Sequence, residues 1–214
     1  VSAWGIVLAA GRGERFGAPK QFRTLGGRRL VDRVVETLRA VCDAVVVVLP
    51  PGVAWDGPPV EAAVVGGAVR AASVRAGLAA VPRSAAVVVV HDAAHPLVTP
   101  ALLERVVATV RAGADAAVPI LPVTETTRRL VAGRFCETIA REGLVLVQTP
   151  QAFRTEALRH AHATAPLVGD DSVLVEAGGG RVVAVAGDPG NIHVTSPAEL
   201  ALAEALLAAA SQRA

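Results

Sequence analysis

Two hydrophobic periods alternate along this chain. Trp4–Ala9, Asp43–Leu49, Val60–Val65, Ala85–Val90, Ala114–Leu121 and Arg181–Val185 are short apolar runs and read as strands. Several are continuous in Val, with no polar alternation, as expected of strands covered on both faces of a parallel sheet. Between them, apolar positions recur every three or four residues. Helices are predicted over about Arg29–Val41, with Leu30, Val34, Val35 and Leu38 on one face, and over about Val69–Val81 and Pro100–Ala112. Further helices are predicted at Thr155–Thr164, Asp171–Ala177 and Pro197–Ala209, and Pro50–Pro59 reads as a loop. The alternation predicts an α/β domain built on a mainly parallel sheet. It breaks between Pro122 and Gln148, where Thr124–Val131, a turn at Gly133 and Arg134–Ile139 predict a hairpin rich in polar and β-branched residues. A hairpin projecting from such a domain often grips a neighbour. No repeat or low-complexity linker divides the sequence, so residues 1–214 are read as one domain with an arm at about 122–147.

Composition narrows the class. Of 214 residues, 52% are hydrophobic and 19% charged, which suits a large buried core and excludes wholesale disorder. No apolar run reaches the ~18 residues that would cross a bilayer, and no basic segment precedes the first strand, so neither a membrane span nor a signal peptide is expected. Two cysteines, Cys42 and Cys136, make no disulfide framework and point to a cytoplasmic setting. A net charge of +2 and 3% aromatics disfavour a nucleic-acid surface. The basic residues are unevenly divided: of 21, Lys20 is the only lysine. In a chain that uses Arg everywhere else, that lysine calls for a chemical reason.

In open α/β sheets ligands bind beyond the carboxyl ends of the strands, and the unusual residues fall there. After the first strand comes Ala9-Ala10-Gly11-Arg12-Gly13-Glu14-Arg15-Phe16-Gly17-Ala18-Pro19-Lys20-Gln21. Its glycines let backbone N–H groups face a phosphate, and Arg12, Arg15 and Lys20 add positive charge. It is not a P-loop, because no Gly-Lys-Ser/Thr is present. It is a poor dinucleotide fingerprint too, because the third glycine is late and Pro19-Lys20 stands where the helix should run. A tight turn alone would explain glycines after a strand; three cations favour polyphosphate, and a Lys is a point charge able to follow a moving phosphoryl group.

Gly66-Gly67 with Arg70 and Ser73 marks a second glycine turn into a helix start, fit for a polar ring or phosphate or simply a capped turn. His91-Asp92-Ala93-Ala94-His95-Pro96 closes a run of valines. Its two histidines lack helical i, i+4 spacing and a third ligand, so a protein-ligated metal is not expected. Asp92 at the sheet edge suits substrate hydroxyls or a hydrated Mg²⁺. Gln148-Thr149-Pro150-Gln151 and Gly169-Asp170-Asp171-Ser172 read as polar, helix-capping turns. His160 and His162 read as solvated helix-surface residues.

Together these segments resemble the 2-C-methyl-D-erythritol 4-phosphate cytidylyltransferase family of the non-mevalonate isoprenoid route. The matching pieces are Ala9-Ala10-Gly11-x-Gly13-x-Arg15 with Pro19-Lys20-Gln21; Gly66-Gly67-x-x-Arg70-x-x-Ser73-Val74-x-x-Gly77-Leu78; His91-Asp92-Ala93-Ala94-x-Pro96; Gln148-Thr149-Pro150-Gln151; and Gly187-x-x-x-Asn191-Ile192-x-Val194-Thr195. They occur in the family's order and cover nearly the whole chain. The first motif is shared by many sugar-nucleotide pyrophosphorylases; the second and third together are much narrower. The resemblance implies a Rossmann-like, three-layer nucleotidyltransferase domain of the glycosyltransferase-A-like kind. It implies transfer of CMP from CTP to methylerythritol 4-phosphate, with Mg²⁺ held mainly by the CTP phosphates. By the same resemblance Arg15 and Lys20 stabilise the transition state, and Ala9, Ala10, Gly11, Gly13, Gly67 and Ser73 surround the nucleotide. Asp92 and Thr149 hold the acceptor hydroxyls. Arg141, with Thr126 on the arm, reaches the acceptor phosphate in the other subunit of a homodimer.

The sequence departs from the family pattern at several places. His193 stands where a second catalytic lysine is usual, and a neutral imidazole cannot replace a fixed cation. His95 stands where Arg is usual, Glu125 and Arg128 replace an Asp and a Lys on the arm, and Ala68 replaces a polar residue near the base. Three other readings are carried alongside: a cytidylyltransferase for another polyol phosphate such as ribitol 5-phosphate, a nucleotide-binding protein without catalysis, and an NAD(P)-binding Rossmann protein, which the glycine spacing disfavours.

Overall fold

The computed structural model describes residues 2–11, 13, 16–164 and 170–212. Arg12, Arg15 and Gly169, singled out above, lie outside the described residues. The backbone runs β1 (Ala3–Leu8), a 3₁₀ turn (Lys20–Phe22), a small hairpin of β2 (Thr24–Leu25) and β3 (Arg28–Arg29), α1 (Leu30–Arg39), β4 (Ala44–Leu49), β5 (Ala62–Val65), α2 (Arg70–Ala80), β6 (Val87–Asp92), α3 (Pro100–Arg111) and β7 (Ala116–Pro122). It continues through β8 (Thr127–Val131), β9 (Arg134–Ile139), β10 (Val145–Val147), β11 (Gln151–Arg154), α4 (Thr155–Thr164), α5 (Asp171–Ala177), β12 (Val182–Ala186) and α6 (Pro197–Ser211).

The main sheet has the order β10-β7-β11-β6-β1-β4-β5, with β12 also pairing with β7. β1, β4, β5, β6, β7 and β12 run one way; β10 and β11 run the other. The valine runs are explained by strict parity. Ala3, Val7 and Ala9 of the first strand and its exit, Val45, Val47 and Leu49 of β4, and Val87 and Val89 of β6 pack under α1 and α3. Their neighbours Ile6, Val46, Val48, Val88 and Val90 pack on the opposite face against α2, α4 and α5. Two apolar layers on one sheet need every strand position apolar, so no polar alternation survives.

The predicted strands and helices are present, with ends shifted by a residue or two. Four strands are additional: the β2–β3 hairpin and, in the main sheet, β10 and β11. β11 starts at Gln151, the last residue of what reads as a polar turn, and β10 returns from the arm to pair antiparallel with Ile120–Pro122. Both are short, and β11 has no alternation, because Gln151, Ala152 and Phe153 are all buried between β6 and β7. The predicted hairpin forms as a separate two-stranded sheet, β8 and β9, turning at Gly133 and largely exposed. His162 is also a correction: it is buried, not solvated, and its Nε2–H donates to Asp171 at 2.8 Å. His160 is exposed as expected.

Candidate active site

A cavity of about 840 Å³ opens beyond the carboxyl ends of β1, β4, β5 and β6. Its wall includes Ala9, Ala10, Gly11, Gly13, Lys20, Gly67, Ser73, Asp92 and His193, so nine of the residues expected at the site are brought together. Thr149, Thr126 and Arg141 are not in that wall.

The glycine-loop side is built from backbone constraints. Gly13 has φ +67°, and a Cβ there would fall 1.8 Å from the Ala18 carbonyl oxygen, so only glycine fits. Gln21 is buried, and its amide donates to the carbonyls of Ala9 (2.7 Å) and Gly11 (2.9 Å). This clamp ties the end of β1 to the 3₁₀ turn and presents the preceding residue, Lys20, to the cavity. From there the chain goes on through a two-strand hairpin before α1 begins at Leu30, which accounts for the poor dinucleotide fingerprint.

Gly66 and Gly67 lie where β5 turns toward α2. A Cβ on Gly66 would come within 2.4 Å of Ala10 Cβ, so glycine here lets the two glycine-bearing loops touch. Ser73 Oγ accepts the Gly67 N–H at 3.2 Å and lies 3.3 Å from the Val69 carbonyl. Val69, Pro50, Pro51 and Ala68 add apolar lining on the same side.

On the opposite side, Asp92 ends β6. Its N–H donates to the Thr149 hydroxyl at 3.3 Å, so Thr149 sits behind Asp92. Asp92 Oδ1 lies 3.5 Å from Nε of Arg70, whose guanidinium also meets Asp171 at 2.5 Å. Burial works against the charge of Arg70, but Asp92 and Asp171 outweigh it and hold the guanidinium protonated. The sequence placed Arg70 in a motif without giving it a role; its partner Asp171 lies 101 positions away, and no local pattern links them.

The two histidine departures meet in space. The rings of His95 and His193 stack with centroids 4.6 Å apart and planes 13° from parallel. His95 is buried, and its Nδ1 hydrogen-bonds the Asn191 carbonyl at 3.0 Å, which makes Nδ1 the protonated nitrogen. Burial lowers its pKa, assisted by Lys20 and opposed by the Asn191 bond and Asp92, so it offers a neutral face to His193. Asn191 is itself buried, and its amide donates to the Thr149 carbonyl at 2.7 Å. Gln148 joins the same lattice, donating to Asp188 and Asn191 carbonyls and accepting the Asp188 N–H. The polar Gln148-Thr149 segment is therefore the scaffold of the His193 loop.

Among the described residues no group of three or more His, Cys, Asp or Glu is placed to hold a metal ion. Asp92 is the carboxylate of the described cavity wall. Asp170 is a helix cap: it accepts the Ser172 N–H at 2.8 Å and the Gln151 amide at 3.0 Å. Burial raises its pKa, but the Ser172 and Gln151 bonds and Arg70 prevail and leave it lowered.

A mostly parallel α/β sheet with a glycine loop, a lysine and a carboxylate around one cleft defines a nucleotidyltransferase-like fold. Comparison with known proteins agrees. The family profile of IspD, 2-C-methyl-D-erythritol 4-phosphate cytidylyltransferase, matches residues 4–209. A 2-C-methyl-D-erythritol 4-phosphate cytidylyltransferase of Frankia casuarinae is 45% identical over 219 residues, covering 95% of this chain and 80% of that protein. One from Nocardia farcinica is 45% identical, covering 94% and 92%. The crystal structure of 2-C-methyl-D-erythritol 4-phosphate cytidylyltransferase from Thermus thermophilus superposes with TM-score 0.84 at 38% identity, covering 96% of this chain and 98% of that one. The chain belongs to the 2-C-methyl-D-erythritol 4-phosphate cytidylyltransferase family.

Proposed function

We propose that this protein transfers CMP from CTP to 2-C-methyl-D-erythritol 4-phosphate, releasing pyrophosphate and forming 4-diphosphocytidyl-2-C-methyl-D-erythritol. The observation that carries this reading is a single cavity with the glycine loop and Lys20 on one side and Asp92 on the other. One side suits a triphosphate and the other a polyol. The acceptor phosphate is already an oxyanion. One of its oxygens attacks the α-phosphorus, a P–O bond forms, the bond to the bridging oxygen breaks, and pyrophosphate leaves with the electron pair. No strong general base is required; the work is to align two polyanions and oppose the charge on the α-phosphate and leaving group.

Lys20, with Arg15 of the same loop, supplies that charge, and the N–H groups of the glycine loop direct the phosphates. Ala9, Ala10, Gly11, Gly13, Gly67 and Ser73 enclose the nucleotide. Asp92, backed by Thr149, takes the acceptor hydroxyls. His193 adds positive charge when its imidazole is protonated beside the phosphates, resting on the neutral ring of His95. Mg²⁺ is commonly bound through one or two carboxylates plus substrate phosphates. A wall with Asp92 as its carboxylate fits an ion carried by CTP, where it would neutralise phosphate charge.

The protein is read as a homodimer whose arms complete the opposite sites. Arg141 and Thr126 lie on the arm, outside their own cavity wall, and Arg141 donates to the Thr124 carbonyl at the arm's base. The arm and its return strand expose Leu130, Val131, Phe135, Leu146 and Val147, an apolar surface suited to a second copy. Two free cysteines support a reducing, cytoplasmic setting, and no described helix is long and apolar enough to cross a membrane.

The test is pyrophosphate release from Mg²⁺, CTP and methylerythritol 4-phosphate, with ribitol 5-phosphate in parallel. Turnover with methylerythritol 4-phosphate alone is expected. Turnover with ribitol 5-phosphate instead would move the reading to another polyol, and no turnover by protein that binds CTP would make it a non-catalytic binder.

A further inference from the structure

Asp171 has no part in the chemistry above, does not line the cavity, and is fully buried. Both of its oxygens are engaged, each from a different element. Oδ2 takes Nη1 of Arg70 at 2.5 Å, from the first position of α2, and Oδ1 takes Nε2–H of His162 at 2.8 Å, from α4. Arg70 then presents Nε to Asp92 Oδ1 at 3.5 Å, at the end of β6. The guanidinium is planar and rigid, so holding Nη1 on Asp171 while the side chain tethers Nε restricts where Nε can lie. A chain of contacts therefore runs from the α4–α5 pair to the carboxylate of the cavity wall.

The far end of the chain is anchored twice. Asp170, one residue before Asp171, accepts the amide of Gln151 in β11 and caps α5 through Ser172. His162, buried itself, occupies the second oxygen of Asp171 and stops the carboxylate from rotating away. A buried ion pair is weak evidence for stability, because apolar packing often does as well, and this one adjoins Asp92 in the cavity wall.

We propose that Asp171 is a positioning residue that, through Arg70, holds the Asp92 carboxylate in the orientation that receives the acceptor's hydroxyls. This rests on the reading of Asp92 as the acceptor-binding carboxylate. The glycine loop and Lys20 are set by the separate Gln21 clamp, so the effect of Asp171 is expected on the acceptor side, although Arg70 also lines the cavity between Gly67 and Ser73.

The experiment is a double-mutant cycle on steady-state constants. Asp171→Asn keeps the shape and removes the charge. It should raise the KM for methylerythritol 4-phosphate by about tenfold and leave the KM for CTP within about twofold. Asp92→Asn should also raise the acceptor KM, and the double variant should be no worse than Asp92→Asn alone, because the relay has lost its endpoint. A purely structural role would give multiplied effects, or equal effects on both substrates, and either overturns the proposal. If Asp92→Asn itself leaves the acceptor KM unchanged, the assignment of Asp92 fails first, which is a different result. Arg70→Lys, changing a partly exposed side chain, repeats the cycle should Asp171→Asn not fold; multiplied effects with Asp92→Asn would again overturn the proposal.

Discussion

The role proposed for Lys20 rests on the chemistry of one side chain. An ammonium on a flexible stem can track the α-phosphate as its geometry changes, where the planar fork of an arginine would hold two oxygens in place. Lys20→Ala should lower kcat by about 10²–10³-fold, the scale of losing one preorganised charge donor, with the far-ultraviolet dichroism and melting unchanged. A loss below about tenfold would make it a bystander. His91 acts on stability instead. It is fully buried, and burial first, then the neighbouring His95, push its pKa down to about 3 from 6.5, against the pull of Asp92 and the His95 carbonyl. The unfolded chain therefore binds a proton there that the folded chain refuses. Its contribution is intact above pH 6.5 and is lost as pH falls toward 3, at up to about 1.4 kcal/mol per pH unit for one proton. His95, also lowered by burial, acts in the same direction. His91→Gln should flatten the fall of the urea midpoint between about pH 6.5 and 5; an unchanged slope would exclude His91 as the proton acceptor.

At the scale of elements, the site depends on how loops are tied to strands. Gln21→Ala would leave the Ala9 and Gly11 carbonyls without their amide donor, costing about 1–3 kcal/mol of stability. With the loop loosened, the KM for CTP should rise about tenfold. Thermal melts and nucleotide titration check both numbers, and an unaltered KM would mean the loop keeps its shape without the clamp. The elements that could be read in advance carry their own signal. The valines of β4 and β6 are apolar at both parities because helices cover both faces, and α3 and α6 begin at Thr99-Pro100 and Ser196-Pro197, each with a side-chain cap. β11 could not be read: it is four residues long and starts with a buried glutamine. His162 was misleading for a related reason. A helix shows its periodicity locally, but the carboxylate that makes burial of His162 tolerable comes from α5. The cavity was legible wherever one loop carried several unusual residues, as from Ala9 to Gln21. It was not legible where the site depends on pairs, such as Arg70 with Asp171 or His95 with His193, because distant pairing leaves no trace in spacing.

At the scale of the whole molecule, the arm reading makes a prediction no single subunit can satisfy. If Arg141 serves the partner's cavity, a dimer mixing Lys20→Ala with Arg141→Ala subunits has one site free of both changes and one carrying both. Mixing the two variants, with exchange of subunits, should give about a quarter of the parental rate, above either variant alone, since about half of the dimers are mixed and each has one intact site. No recovery after exchange would place Arg141 in its own subunit's site. The placement of Lys20 has one more use. This sequence holds a single ε-amine, and it stands in the wall of the cavity. Reductive methylation with a ¹³C label would therefore give one side-chain resonance, identified by its loss in Lys20→Arg. That resonance would report nucleotide arrival directly, without assignment of the spectrum.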